Sequence, residues 1–286
     1  MAGKNGILPT ILVFTIIAGA MTAVYFYYFK KNIPDYSNLP EAKAHFYSDA
    51  SIGIKKIGLK IFYAVPANKK DNVDPGWQKT ITETIEKISR FHALQLHGLS
   101  EINYDIYPEP VLLREEDIFY NTASTNLGNP RGLISIAEEI AERVLREGGD
   151  LYKPEFAGFE EGEYPVMGLI YEGVGASGGV IYDTSLGTAR EIAEELSVPE
   201  SIVYLTDVKS VRGFFILNRE FLTSKELSIF GATTLYHELA HTIGLPDRDE
   251  SAGLSAQNDI MGGGRRDPLE AAYIAGDLLE GLGVLE

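Results

Sequence analysis

The chain has 286 residues, of which 45% are hydrophobic, and this is enough for one sizeable core. Its 41 acidic and 25 basic residues give a formal net charge of −16, which opposes binding to nucleic acid. There is no cysteine, so disulfides and thiolate metal ligands are excluded.

The first predicted element is the uncharged stretch from Ile7 to Phe29. As a helix it is long enough to cross about 30 Å of hydrocarbon. Its aromatic end is followed by two lysines, as at a membrane interface. We therefore expect residues 1–31 to be a single-pass signal anchor in the cell membrane, with the rest of the chain outside the cell. The alternative is a secreted protein cleaved near Ala20, because Ala-Gly-Ala at residues 18–20 has the form of a signal-peptide cleavage site.

The remaining chain divides into a tether and one domain. Residues 32–56 are polar and contain two prolines, so we expect a tether with a short helix around residues 41–46. From residue 57 onward, apolar alternation predicts strands, and Gly or Pro bounds the helices, so residues 57–286 are predicted to be one α/β (α+β) domain. The predicted strands are residues 57–65, 102–107, 166–171, 180–182, 201–205 and 214–217. Helical character is predicted for residues 74–97, 129–147, 223–235 and 268–282.

Residues 237–247, His-Glu-Leu-Ala-His-Thr-Ile-Gly-Leu-Pro-Asp, point to a specific chemistry. On a helix, His237 and His241 lie about one turn apart on one face and can bind the same ion. Glu238 lies beside them, where it can take a proton from an attacking water without being a ligand. Gly244 allows the chain to turn out of the helix, and Asp247 supplies an oxygen as a third ligand. Two imidazoles and one carboxylate leave one position of a tetrahedral Zn²⁺ open, as in catalytic zinc sites.

This run resembles the zinc signature of the metzincin metallopeptidases, His-Glu-x-x-His-x-x-Gly-x-x-His/Asp. Its Gly-Leu-Pro-Asp ending is similar to the snapalysin-like and immune-inhibitor-A-like branches. A metzincin also has a methionine turn beneath the metal, and Asp-Ile-Met-Gly-Gly-Gly at residues 259–264 resembles one. The resemblance implies a zinc peptidase in which Met261 forms a hydrophobic floor under the ion without binding it.

The same resemblance implies a fold and a way of binding substrate. The expected fold is a zincin with a mixed twisted sheet, a zinc-binding helix, the methionine turn and a C-terminal helix. A strand shortly before the zinc helix, at residues 178–182 or 201–205, would form the edge of the sheet. The extended backbone of a peptide or protein substrate can pair with such an edge.

Several alternatives remain open. A membrane-tethered binding protein could keep the scaffold without catalysis, although the intact Glu238 argues against this. A gluzincin-type peptidase would use Glu270 as the third ligand, whereas the Gly-Leu-Pro-Asp turn argues for Asp247.

His92 and His97 are five residues apart on one predicted helix, too far around it to share an ion. The candidates for a second donor to the oxyanion are Arg265, Arg266 and Tyr273.

Overall fold

The computed structural model describes residues 41–45, 51–121, 130–147, 163–174, 177–181, 213–248 and 257–285. They belong to one compact unit that spans Leu39–Glu286. The predicted signal anchor, residues 1–31, and the predicted strand at residues 201–205 lie outside the described residues. None of the helices in the described part of the chain is long and apolar enough to cross a membrane.

The described chain contains eight strands and six α-helices, which follow one another in groups. The strands are β1 (Lys43–His45), β2 (Ser51–Gly53), β3 (Lys56–Val65), β4 (Glu101–Ile106), β5 (Val111–Leu112), β6 (Tyr164–Tyr171), β7 (Ser177–Ile181) and β8 (Gly213–Asn218). The helices are α1 (Trp77–Gln95), α2 (Asp117–Tyr120), α3 (Pro130–Arg146), α4 (Glu220–Thr223), α5 (Gly231–His241) and α6 (Gly276–Gly281). The strands predicted at residues 57–65, 102–107, 166–171, 180–182 and 214–217 and the helices predicted at residues 74–97 and 129–147 are confirmed, with small shifts at their ends.

Six of the strands form one sheet in the order β4-β3-β6-β8-β7, with β5 also paired to β3. Strands β3, β4, β5, β6 and β8 are mutually parallel, whereas β7 pairs antiparallel with β8. The predicted mixed α/β domain is therefore confirmed, and its sheet is mostly parallel.

The central strand β3 shows how the core is divided between the two faces of the sheet. Ile57, Leu59 and Ile61 belong to one buried cluster, which also contains the apolar faces of α1 and α5. Phe62 and Ala64 belong to a second cluster, which contains the apolar face of α3. Because successive side chains of a strand point to opposite faces, helices on both faces bury β3 almost completely.

The domain includes residues from the segment that was expected to be a tether. Ala42 and Ala44 are fully buried, and β1 pairs antiparallel with β2. The amide of Lys43 donates a hydrogen bond to the carbonyl of Leu282, near the other end of the chain. The short helix expected around residues 41–46 is wrong, because these tertiary contacts hold Lys43–His45 in an extended strand.

The predicted helix at residues 268–282 is also wrong over its first half. Leu269–Ala271 form a single 3-10 turn, and helix α6 begins only at Gly276. Between them Tyr273 is extended and bridges to Asp259. Its carbonyl accepts a hydrogen bond from Ile260 and its amide donates one to Asn258. Backbone pairing with the methionine turn therefore overrides the local helical preference.

Candidate metal centre

Helix α5 places the two histidines of the motif at its C-terminal end. It packs against β7, β8 and α1. It is shorter than predicted, because residues 223–235 contain the end of α4, a 3-10 turn at Leu227–Ile229 and only then the start of α5. The carbonyl of Thr242, just past α5, accepts a hydrogen bond of 2.7 Å from the hydroxyl of Tyr164 at the start of β6. Gly244 has a φ of 91°, which confirms the turn that the motif predicts at this glycine.

The hydrogen bonds of the two imidazoles determine where their protons lie. Nδ1 of His237 is 2.8 Å from the carbonyl oxygen of Ile260, and Nδ1 of His241 is 2.8 Å from that of Leu245. A carbonyl oxygen only accepts, so each Nδ1 carries the proton and each Nε2 presents a lone pair. The two Nε2 atoms are 3.2 Å apart. Two lone pairs at this distance repel each other unless a cation lies between them, which is the role that a shared metal would fill.

Asp247 completes a set of three ligand atoms. Its Oδ1 lies 3.4 Å from Nε2 of His237 and 3.7 Å from Nε2 of His241. Ligand atoms at 2.0–2.1 Å from a tetrahedral Zn²⁺ are about 3.3–3.4 Å from one another. The three observed separations, 3.2, 3.4 and 3.7 Å, are close to that value without any adjustment. The donor types and their spacing therefore fit zinc, and Asp247 takes the place that the sequence predicts for the third ligand.

Glu238 lies within the same group. Its side chain is buried, with 6% of its surface exposed. One of its carboxylate oxygens lies within 4.8 Å of a ring nitrogen of both His237 and His241. The structure therefore brings the predicted base to the ligands from inside the protein, while Asp247, whose side chain is 63% exposed, approaches from the solvent side.

The methionine turn, residues 259–264, passes close to α5. Met261 is fully buried in the same cluster as Leu235 and Leu239 of that helix. At Gly264 the backbone approaches so closely that a Cβ atom would lie 2.3 Å from the carbonyl oxygen of Asn258. This tight turn allows the Ile260 carbonyl to meet the imidazole of His237. The prediction that Met261 lies directly beneath the ion stays a prediction.

The electrostatics of the site favour neutral histidine. Burial, together with the neighbouring His241, lowers the pKa of His237 to about 4. A neutral imidazole is the form that binds a metal, so at neutral pH His237 is ready to act as a ligand. One cation lies nearby, since Nη1 of Arg265 is 3.6 Å from Oδ1 of Asp247.

Other residues considered from the sequence lie elsewhere. Within the described chain, His237, Glu238 and His241 form a group whose ligand atoms all lie within 4.8 Å of one another, and neither Asp247 nor Glu270 belongs to it. Asp247 differs from Glu270 in that its Oδ1 lies 3.4 and 3.7 Å from the Nε2 atoms of the two histidines. Glu270 is exposed on the 3-10 turn Leu269–Ala271, and Arg266 is exposed as well. Tyr273 has its backbone paired with the methionine turn.

One polar network beside α5 contains His92, which the sequence places outside the metal site. His92 is fully buried, with Nδ1 at 2.8 Å from the hydroxyl of Tyr236 and Nε2 at 2.7 Å from that of Ser100. Ser100 donates its own proton to the carbonyl of Ile54, so His92 must donate through Nε2 and accept at Nδ1. The network fixes Tyr236, the residue just before His237. A sequence signal does exist, because His92 continues the apolar stripe of residues 81, 85 and 88 on α1.

Strand β7 lies at the end of the strand order among the described residues and contacts α5. This is the position expected for an edge strand at residues 178–182. Beside it, two imidazoles, the exposed carboxylate of Asp247 and the buried carboxylate of Glu238 are groups of the kind that zinc-dependent hydrolysis needs. No protein-family model matches the chain, and no curated protein does.

Proposed function

We propose that this chain is a zinc-dependent peptidase of the metzincin type. His237, His241 and Asp247 would hold Zn²⁺, and Glu238 would be the general base. The observation that carries the proposal is the convergence of three ligand atoms 3.2–3.7 Å apart, with both Nδ1 protons committed to backbone carbonyls. A helical surface that contained two histidines by chance would have no reason to fix both tautomers in this way.

Each residue of the site would have a separate role in hydrolysis. When bound, Zn²⁺ would polarise the scissile carbonyl and lower the pKa of water towards neutrality. Glu238 would take the proton of the attacking water and pass it to the leaving amine. The edge of β7 that has no partner strand among the described residues would hold the peptide extended by backbone hydrogen bonds. We favour Arg265, which lies beside Asp247, over the exposed Arg266 as a second donor to the oxyanion.

Replacing Glu238 with Gln tests the mechanism. We expect Glu238→Gln to keep its zinc, because the ligands are untouched, and to lose about 10²–10⁴-fold in kcat, the usual contribution of a general base. Glu270→Gln is the matched control, since that carboxylate is exposed and outside the ligand group. Near-wild-type turnover by Glu238→Gln would refute the mechanism. Zinc-loaded wild-type chain that hydrolyses no member of a peptide library would instead indicate a binding protein.

The identity of the third ligand has its own test. We expect Asp247→Ala to lose most of its bound zinc and Glu270→Ala to retain it. The distances of Asp247 to both histidines support this expectation. Full zinc content in Asp247→Ala together with loss in Glu270→Ala would replace the metzincin assignment with the gluzincin one.

We also propose that the segment from Ile7 to Phe29 anchors the enzyme at the outer face of the cell membrane. The full chain should then resist extraction by carbonate, and protease added to intact cells should remove the domain. A mature protein that begins at Met21 in the culture medium would show instead that the enzyme is secreted.

A further inference from the structure

Arg248, the residue after the third ligand, is held at three points. Its amide donates a hydrogen bond of 2.7 Å to the carbonyl of Met261. Its Nε lies 2.9 Å from Oδ2 of Asp259, and its Nη2 contacts the carboxylate of Asp277 on α6. Only 17% of the side chain is exposed. An arginine with this many contacts restrains the backbone next to Asp247.

Asp259 is the buried end of this arrangement. It is fully buried, and its Oδ1 accepts a hydrogen bond of 3.1 Å from the amide of Met261. Its Oδ2 has no hydrogen bond of good geometry within the described structure and faces the guanidinium of Arg248. Burial raises the pKa of Asp259 and Arg248 opposes that rise. A buried carboxylate needs a counter-charge, and Arg248 supplies it. The same ion pair fixes the position of the Arg248 side chain.

The two residues that Arg248 contacts on the methionine turn flank Ile260. The carbonyl of Ile260 accepts the proton of His237 Nδ1 and thereby orients that ring. Arg248 is therefore connected to two of the proposed ligands. It is the neighbour of Asp247 in the chain, and it contacts the turn whose Ile260 carbonyl orients His237. The third ligand itself is 63% exposed, so packing does little to hold its side chain.

We propose that Arg248 is a positioning residue of the metal centre, which clamps the segment carrying Asp247 onto the methionine turn that orients His237. This inference rests on the proposed zinc site. The clamp orders both ligands before the ion arrives, so that binding does not have to provide the free energy for ordering them.

The test is the affinity of the full chain for zinc, measured by competition with a chelator, together with the visible spectrum of the Co²⁺-substituted protein. We expect Arg248→Met to weaken zinc binding by about 10–100-fold, the usual effect of removing a partner that orients metal ligands, and to change the Co²⁺ spectrum. Arg248→Lys should recover part of this loss, because it keeps the charge but not the fork of donors. Arg143→Met is the matched control, since Arg143 also pairs with two carboxylates but lies on α3.

A second variant separates positioning from a general loss of folding. Asp259→Asn removes the buried charge, so the double variant Arg248→Met/Asp259→Asn leaves no buried carboxylate without a counter-charge at this position. If Arg248 acts through Asp259, the double variant should bind zinc no more weakly than the worse single variant. If the fold-loss of zinc affinity in the double variant equals the product of the two single losses, the two residues act independently and the proposal is overturned.

Two further results would also decide the matter. Zinc affinity within twofold of wild type in Arg248→Met, with an unchanged Co²⁺ spectrum, would overturn the role of Arg248 and leave the zinc site standing. A wild-type chain that binds no zinc would overturn both.

Discussion

The buried histidine on α1 should make this protein sensitive to acid. His92 donates to Ser100 and accepts from Tyr236, so both ring nitrogens are satisfied in the neutral form and there is no place for a second proton. Burial lowers the pKa of His92 from its ordinary value of 6.5 to about 3. In the unfolded chain the ring is free to take a proton near pH 6.5.

The direction and size of the effect follow from that difference. Between pH 6.5 and about 3 the unfolded chain binds a proton at this position and the folded chain does not. The stability that His92 contributes is therefore complete above pH 6.5 and is lost as the pH falls through this range. At pH 4 the loss from this single residue should be roughly 3 kcal/mol. This is a large part of the stability of an ordinary domain.

Urea unfolding of the metal-free chain between pH 4 and pH 8 measures this loss. His92→Gln cannot titrate, yet its amide can still donate towards Ser100, so its free energy of unfolding should fall by about 3 kcal/mol less than that of wild type between pH 8 and pH 4. Subtracting one curve from the other removes the contributions of His237 and of the carboxylates. His97→Asn, at the end of the same helix and at a φ of 54° that Asn tolerates, is the control and should follow wild type. Parallel curves for wild type and His92→Gln would refute the argument.

Three further predictions concern the metal centre and the residues around it. Tyr236→Phe removes the donor to Nδ1 of His92 and should lower the free energy of unfolding by about 1–3 kcal/mol in a urea titration; an unchanged midpoint would mean that this hydrogen bond is not formed. Gly264→Ala places a methyl group 2.3 Å from a backbone oxygen, so the methionine turn must move and zinc content measured by mass spectrometry should fall; full occupancy would show that the turn does not support the site. Zinc at 100 times its Kd should raise the stability of wild type by about 2.7 kcal/mol, whereas His237→Ala should show no such increase in a thermal scan.

Local patterns along the chain were enough to predict much of the fold and the pair of histidines. The alternation in residues 57–65 predicts a strand, and the apolar stripe at residues 81, 85 and 88 predicts α1, because each pattern reflects the geometry of its own element. The spacing of His237 and His241 places both rings on one helical face for the same reason. The left-handed turn at Gly244 is equally local, since it follows from the residue type at one position.

The tertiary structure decided what depends on residues far apart in the sequence. The proton of His237 Nδ1 is fixed by a carbonyl 23 residues away, and His92 meets Tyr236 across 144 residues. The methionine turn draws Tyr273 into an extended bridge, which ends the predicted last helix, and β2 draws Lys43–His45 into a strand. The contact of Arg248 with Asp259 likewise exists only after the two segments have folded together. Periodicity reports which face of an element is buried, but it carries no information about the partner that will cover it, so these contacts had to come from the folded chain.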